Sequence, residues 1–187
     1  MVAAESPASA ADAAAMSNAS LARRLAALSY ENLLAAALVL VTGFLTLPLV
    51  SPGVNAAHAP EVPTVAARAL SGSVVFGVFG LYCVWMWTGG RRTLPMKTWH
   101  LWLVRRNGET VDAGAAVIRY LALWIGPAAS LVAYEALRPS GLGILAVWVA
   151  GFNYAWALVD PDRQFLHDRI AGTRIIRERV DAAPSPG

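Results

Sequence analysis

The 187-residue chain is 57% apolar and only 14% charged, with a formal net charge of +3. An ordinary soluble domain is roughly 45–50% apolar and about 25% charged, so lipid must replace water over part of this surface. The single cysteine, Cys83, excludes an internal disulfide framework and a multi-cysteine metal site, and within its apolar run it reads as a small packing residue.

Residues 1–20 are rich in Ala and Ser and read as a disordered tail. They have neither a basic stretch nor an apolar core, so no signal peptide is expected, and Met16 is a candidate start. The first predicted span, Leu33 to Val50, is uncharged and near the roughly 20 residues a bilayer core requires. A Pro-rich loop, 51–68, leads to a second span, Ala69 to Thr88. Trp85 and Trp87 there suit a membrane–water interface, and Gly72, Ser73, Gly77 and Gly80 suit close helix approach.

The loop 89–116 is basic. Thr98 to Arg106 mixes apolar and polar residues before the turn signal Asn107-Gly108, which predicts a short amphipathic strand. The third span, Val117 to Leu137, holds Arg119 at one end, Glu135 at the other and Pro127 between. A tight link, Arg138 to Gly141, leads into a fourth span, Leu142 to Val159. Residues 179–187 read as a flexible tail. The expected fold is an all-α bundle of four transmembrane helices.

Basic residues are distributed unevenly about these four spans. Thirteen fall on the side holding both termini and the central loop, and only Arg68 and Arg138 fall on the other. Lys and Arg concentrate on the cytoplasmic side, so both termini are expected in the cytoplasm of a cell with the protein in its inner membrane. The basic residues beside apolar runs thus report topology rather than nucleic acid.

Two stretches could carry chemistry. In RRLAALSYE, Arg24 and Glu31 are seven residues apart, on one helix face. An acid at membrane depth needs a partner. In FLHDRIAGT, His167 and Asp168 are adjacent, so on a helix they point about 100° apart and make a poor catalytic relay. His58, His100 and His167 lack zinc spacing. No enzyme activity, metal or cofactor is expected. Asp168 is better read as accepting from Arg24 or a neighbouring Arg. Gly172 then ends a short helix, and Thr173 to Arg177 forms a strand pairing with His100 to Arg106 in a small cytoplasmic ribbon.

These residues resemble the RDD family of small bacterial membrane proteins. Its first-helix pattern, an Arg followed by small and apolar residues and an Asp, is similar to RLAALSYE from Arg24. Its "QTLGMK" and "LRLV-DG" elements resemble RTLPMK, Arg92 to Lys97, and LWLVRRNG, Leu101 to Gly108. Its "LHDRLAGT" signature resembles Leu166 to Thr173 most closely. The likeness covers roughly residues 21–178. Two positions depart from the pattern. Glu31 stands where the family has Asp, and Pro95 stands where it has Gly. The resemblance implies a membrane location and a role in transport, with sodium–proton exchange suggested for some members.

Two functions follow as expectations. One is transport of a small cation, Na⁺ or H⁺, by a homo-oligomer, with Arg24, Glu31 and Asp168 as a polar cluster at the cytoplasmic mouth. His167, Glu135, Asn153 and Asp160 are secondary candidates. The bland readings are an interfacial ion pair for Glu135 with Arg138 and an interhelical hydrogen bond for Asn153. The other function is a non-catalytic membrane scaffold whose basic face meets anionic lipid or an acidic partner. A transporter needs its acids facing a wet cavity; a scaffold needs them paired and dry.

Overall fold

The computed structural model describes residues 18–50 and 64–177. The expectations for residues 1–17, including Met16, for His58 in its loop, and for the C-terminal tail lie outside these residues. Among the described residues, eight helices and two strands follow in order: α1 (Leu21–Val50), α2 (Val65–Trp87), α3 (Leu94–Thr98), β1 (Leu101–Arg105), α4 (Ala113–Leu123), α5 (Ile125–Leu137), α6 (Val147–Ala150), α7 (Phe152–Ala155), α8 (Leu166–Ala171) and β2 (Thr173–Arg177).

Among the described residues, three helical stretches are long and apolar enough to cross a membrane: Leu21–Pro48, Val65–Trp87 and Ala113–Ser140. The first starts a dozen residues before the expected Leu33. The segment RRLAALSYE is helical, and the neighbouring elements partner its charges, so the helix need not end where they begin. The third stretch is interrupted at Trp124, between α4 and α5. Pro127 explains the break, because it has no N–H to give to the Leu123 carbonyl and its ring collides there.

The fourth expected span, 142–159, is a succession of short turns. A 3₁₀ segment, Gly143–Ala146, leads to α6 and α7 and then to a second 3₁₀ segment, Trp156–Leu158. Gly143 and Gly151 punctuate the run. The expected tight link is present as a 3₁₀ turn, Arg138–Ser140, closed by Gly141 in the left-handed region with φ 73°.

The helices pack as α1 on α2, α2 on α4, and α5 against the 143–150 run. Of the glycines in α2, only Gly80 makes a close approach. A Cβ there would lie 2.8 Å from the Tyr120 ring, whereas Gly72 and Gly77 have open space. The Tyr120 hydroxyl donates to the Phe76 carbonyl at 2.7 Å, which fixes the α2–α4 crossing.

The predicted ribbon is present. β1 and β2 pair antiparallel, with Leu103 opposite Ile175. Asn107-Gly108 makes the turn after β1: Gly108 N donates to Arg105 O, and Asn107 Oδ1 accepts from Glu109 N. The strand is not amphipathic as expected, because both faces are covered. Leu101 and Leu103 join a core with Ala27, Trp87 and Ala115, while Trp102 and Val104 pack with Ile176 and the Arg92 guanidinium lies over the Trp102 ring. Asn18, within the segment read as a tail, bridges Ile176, and Ala19 N donates to Ile175 O at 3.0 Å. Helices and this added bridge give the small ribbon the support that an isolated hairpin lacks.

Among the described glycines the closest approach is that of Gly126 in α5 to the α6 backbone, where a Cβ would lie 2.4 Å from the Ala150 carbonyl oxygen. Gly126→Ala should therefore lower the free energy of unfolding in detergent by about 1–3 kcal/mol. Gly77→Ala, with no neighbour to meet, should be neutral or slightly stabilising.

Candidate polar site at the helix junction

Asp112 caps α4, its Oδ1 accepting from Ala115 N at 2.8 Å. Two turns on, that helix turns a face of Ala115, Ala116, Arg119 and Ala122 inward. The alanines leave room for α8 to close against α4, and Arg119 meets its partner there. Arg119 Nε donates to Asp168 Oδ1 at 2.8 Å, with both side chains buried. Its guanidinium also lies 4.1 Å from the centre of the Trp87 ring. Thr173 Oγ1 donates to the same carboxylate oxygen at 3.2 Å, so β2 is tied to the pair as well.

Asp168 is thus the centre of the junction, and its direct partner is Arg119. Arg24 adds attraction at longer range. Arg24 is itself buried, but it grips the loop before α8. It donates to the Arg163 carbonyl and to Gln164 Oε1, and its guanidinium stacks over Phe165 at 5.2 Å. Arg163 adopts a positive φ of 52° in that loop. FLHDRIAGT therefore docks on the first helix through Phe165 and on α4 through Asp168.

Asn153 accounts for the broken helices. Its Nδ2 donates to the carbonyls of Ala122 and Leu123, the second of which Pro127 leaves without its helical donor. Its Oδ1 then accepts from His167 N at 3.0 Å and lies 2.9 Å from His167 Nδ1. These contacts require Nδ1 to carry the proton, leaving Nε2 to accept from Arg119 Nη2 at 3.4 Å. His167 is neutral here. Burial pushes its pKa down to about 4, opposed by Asp168 and reinforced by Arg119 and Arg24. Burial works against the Asp168 carboxylate too, but Arg119, His167 and Arg24 outweigh it and hold that group below the usual carboxylate range.

The remaining expected residues divide. Asp160 is buried and shapes the loop: its Oδ2 accepts from Asp162 N and Gln164 N, and its Oδ1 faces Arg169 Nε at 3.4 Å. Glu135 is far from the cluster, in an exposed pair with Arg138 at 3.5 Å. Glu31 reaches the cluster. It feels the charges of Arg119 and Asp168 and sits beside Thr93 and the Trp87 indole. Its Oε1 is buried with no hydrogen-bond donor, and Trp87 Nε1 and Asp168 Oδ2 are likewise buried without a partner. Among the described residues, no group of three or more His, Cys, Asp or Glu side chains is placed to hold a metal ion.

Arg119, which counts in the sequence only among the basic residues that mark topology, is the functional residue missing from the expected cluster. Its signal was a lone charge in the apolar run VIRYLAL, sharing a helix face with Ala115, Ala116 and Ala122.

Family-model comparison matches residues 18–172, from the bridge at Asn18 through Gly172. This chain belongs to the RDD family. No curated protein and no solved structure matches it. For this RDD protein the family motifs acquire physical content: the Arg of the first helix holds the loop preceding α8, and the Asp of LHDRIAGT accepts from Arg119.

His167 binds fewer protons folded than unfolded between about pH 4 and its ordinary pKa near 6.5. Stability should therefore rise with pH across that window and fall as pH drops through it. The Asp168 shift adds loss of stability at still lower pH. Unfolding measured in detergent should show a loss of about 3 kcal/mol from pH 7 to pH 4, and His167→Asn should flatten that slope.

Proposed function

We propose that this RDD protein moves a small cation, Na⁺ or H⁺, across a bacterial cytoplasmic membrane, with Glu31 as the carboxylate that exchanges partners. The observation that carries this reading is the buried Glu31 Oε1 without a donor, within the field of the Arg119 charge. Asp160 accepts from several donors, and Asp168 is anchored through Oδ1 by Arg119 and Thr173 although its Oδ2 has no donor, so both are tied in place more firmly than Glu31. An ionisable group at membrane depth is retained for a function. Interrupted helices supply transport sites in many membrane proteins, and here the break at Trp124 and the 143–158 run meet at Asn153. Arg119 and Asp168 then form the fixed electrostatic wall against which Glu31 works.

The proposed topology has four spans, with 142–159 crossing as the fourth and both termini cytoplasmic, in keeping with the uneven basic residues. So few short spans leave little room for a path within one copy, so a homo-oligomer supplies it. The role is transport rather than enzymatic catalysis, and needs no cofactor or nucleic acid.

A membrane scaffold is the second reading. It draws on the burial of Asp168 and Asp160 and on their ties to Arg119 and to the backbone of the 160–164 loop, which suit a permanent structural role.

The two readings separate in vesicles containing this protein alone, with proton movement followed as Na⁺ and pH are varied. Transport predicts flux in wild type, its loss in folded Glu31→Gln, and partial retention in Glu31→Asp. Flux unchanged in Glu31→Gln would remove Glu31 from the mechanism. Wild-type vesicles no more permeable than empty ones, across several cations, would leave the scaffold.

A further inference from the structure

We infer that α3 is a membrane-surface anchor that lies in the headgroup layer and takes anionic phospholipid through Lys97 and Arg23. This goes beyond the transport reading and does not depend on it.

Along the three long helices and the 142–159 run, exposed Leu, Val, Phe and Trp side chains are expected to face lipid. Outside them, among the described residues, the large exposed apolar side chains are Leu94 at 52%, Trp99 at 37% and Ile170 at 48%. Two of these three belong to α3 and its C-cap. The helix is amphipathic despite its length. Pro95 and Met96 are buried against the protein, while Leu94, Lys97 and Thr98 share the outward arc.

Its position places that arc at the membrane surface. The chain leaves α2 at Trp87 and starts α3 only seven residues later. α3 packs against α1, and Arg23, in the first turn of α1, donates to the Trp99 carbonyl at 3.4 Å. The short helix thus sits level with the end of one crossing helix and the beginning of another. Trp85 marks the same level, with Arg91 donating to its carbonyl and stacking 4.3 Å from its ring. Trp beside Arg is the composition of an interfacial belt.

At that depth an outward Leu beside an outward Lys has one well-matched surround. The apolar side chain enters the acyl boundary and the ammonium meets phosphate. Lys97 is exposed, and the half-buried Arg23 reaches the end of the same helix at the Trp99 carbonyl. No acidic residue lies between Arg68 and Glu109 in the sequence, so the segment around α3 is purely cationic. Charge complementarity therefore selects anionic headgroups over zwitterionic ones.

Cys83 is the only cysteine in the chain, so a Cys83→Ser background permits a single spin label. Labels at Leu94→Cys and, as a water-facing control on the exposed turn, Asn107→Cys would be placed in full-length protein. The protein would be reconstituted in phosphatidylcholine with or without phosphatidylglycerol. Collision with oxygen and with a nickel chelate reports depth. The label at 94 should be shielded from nickel relative to the label at 107, and should become less mobile when phosphatidylglycerol is present. Lys97→Gln should weaken that preference by about fivefold, the effect of one cation at such a surface. Equal nickel access at 94 and 107 would overturn the anchor. Shielding at 94 with no response to phosphatidylglycerol would overturn the anionic selectivity. A label at the exposed Thr98→Cys gives a second reading on the same arc if the Leu94 variant folds poorly.

Discussion

One buried ion pair organises this membrane protein. Arg119 and Asp168 come from segments 49 residues apart and meet where neither is exposed to water. Taking both charges from water costs several kcal/mol each, and Coulomb attraction alone seldom repays it. The surround supplies the remainder: Thr173 donates to the carboxylate, Trp87 presents its ring face to the guanidinium, and neutral His167 accepts from it. Each contact comes from a different part of the fold, so α2, α4, α8 and β2 are drawn to one point.

The broken helices follow from the same junction. Pro127 frees a carbonyl that lipid could not satisfy. Asn153 takes that carbonyl and its neighbour, then spends its oxygen on His167, adjacent in the chain to Asp168. One amide thus joins the interrupted third stretch, the irregular 143–158 run and the charged centre. The close approach of Gly126 to Ala150 holds the two irregular segments together. Arg24 performs a related task outside the pair, gripping the loop that Asp160 shapes.

Much of this architecture was legible in the sequence because its signals were local. Uncharged runs marked the membrane helices, Asn107-Gly108 marked the turn after β1, and Gly172 marked the end of α8. Thr173 to Arg177 was β-prone enough to identify its pairing with the central loop. The missing parts were those that depend on partners distant in the chain. Arg24 and Glu31 read as one helix face just before the apolar run at Leu33, yet the crossing-length helix α1 begins at Leu21 and includes them. Arg119 was taken for a topology marker, because only the docking of α8 turns it into the partner of Asp168. Both faces of β1 proved buried, since alternation along a strand cannot reveal what covers its second face. The run 142–159 had the hydropathy of a continuous helix, and its turns arise from glycines and side-chain contacts that hydropathy does not record.

The most direct test of the central pair is a double-mutant cycle on unfolding free energy in detergent, using Arg119→Met and Asp168→Leu. Each single variant strands a buried charge, so each should cost about 3–5 kcal/mol. The double variant strands neither and should cost far less than the sum of the two, with the shortfall measuring the coupling. Additive losses would contradict the account, because they would mean that Arg119 and Asp168 contribute to stability through separate surroundings and not through each other.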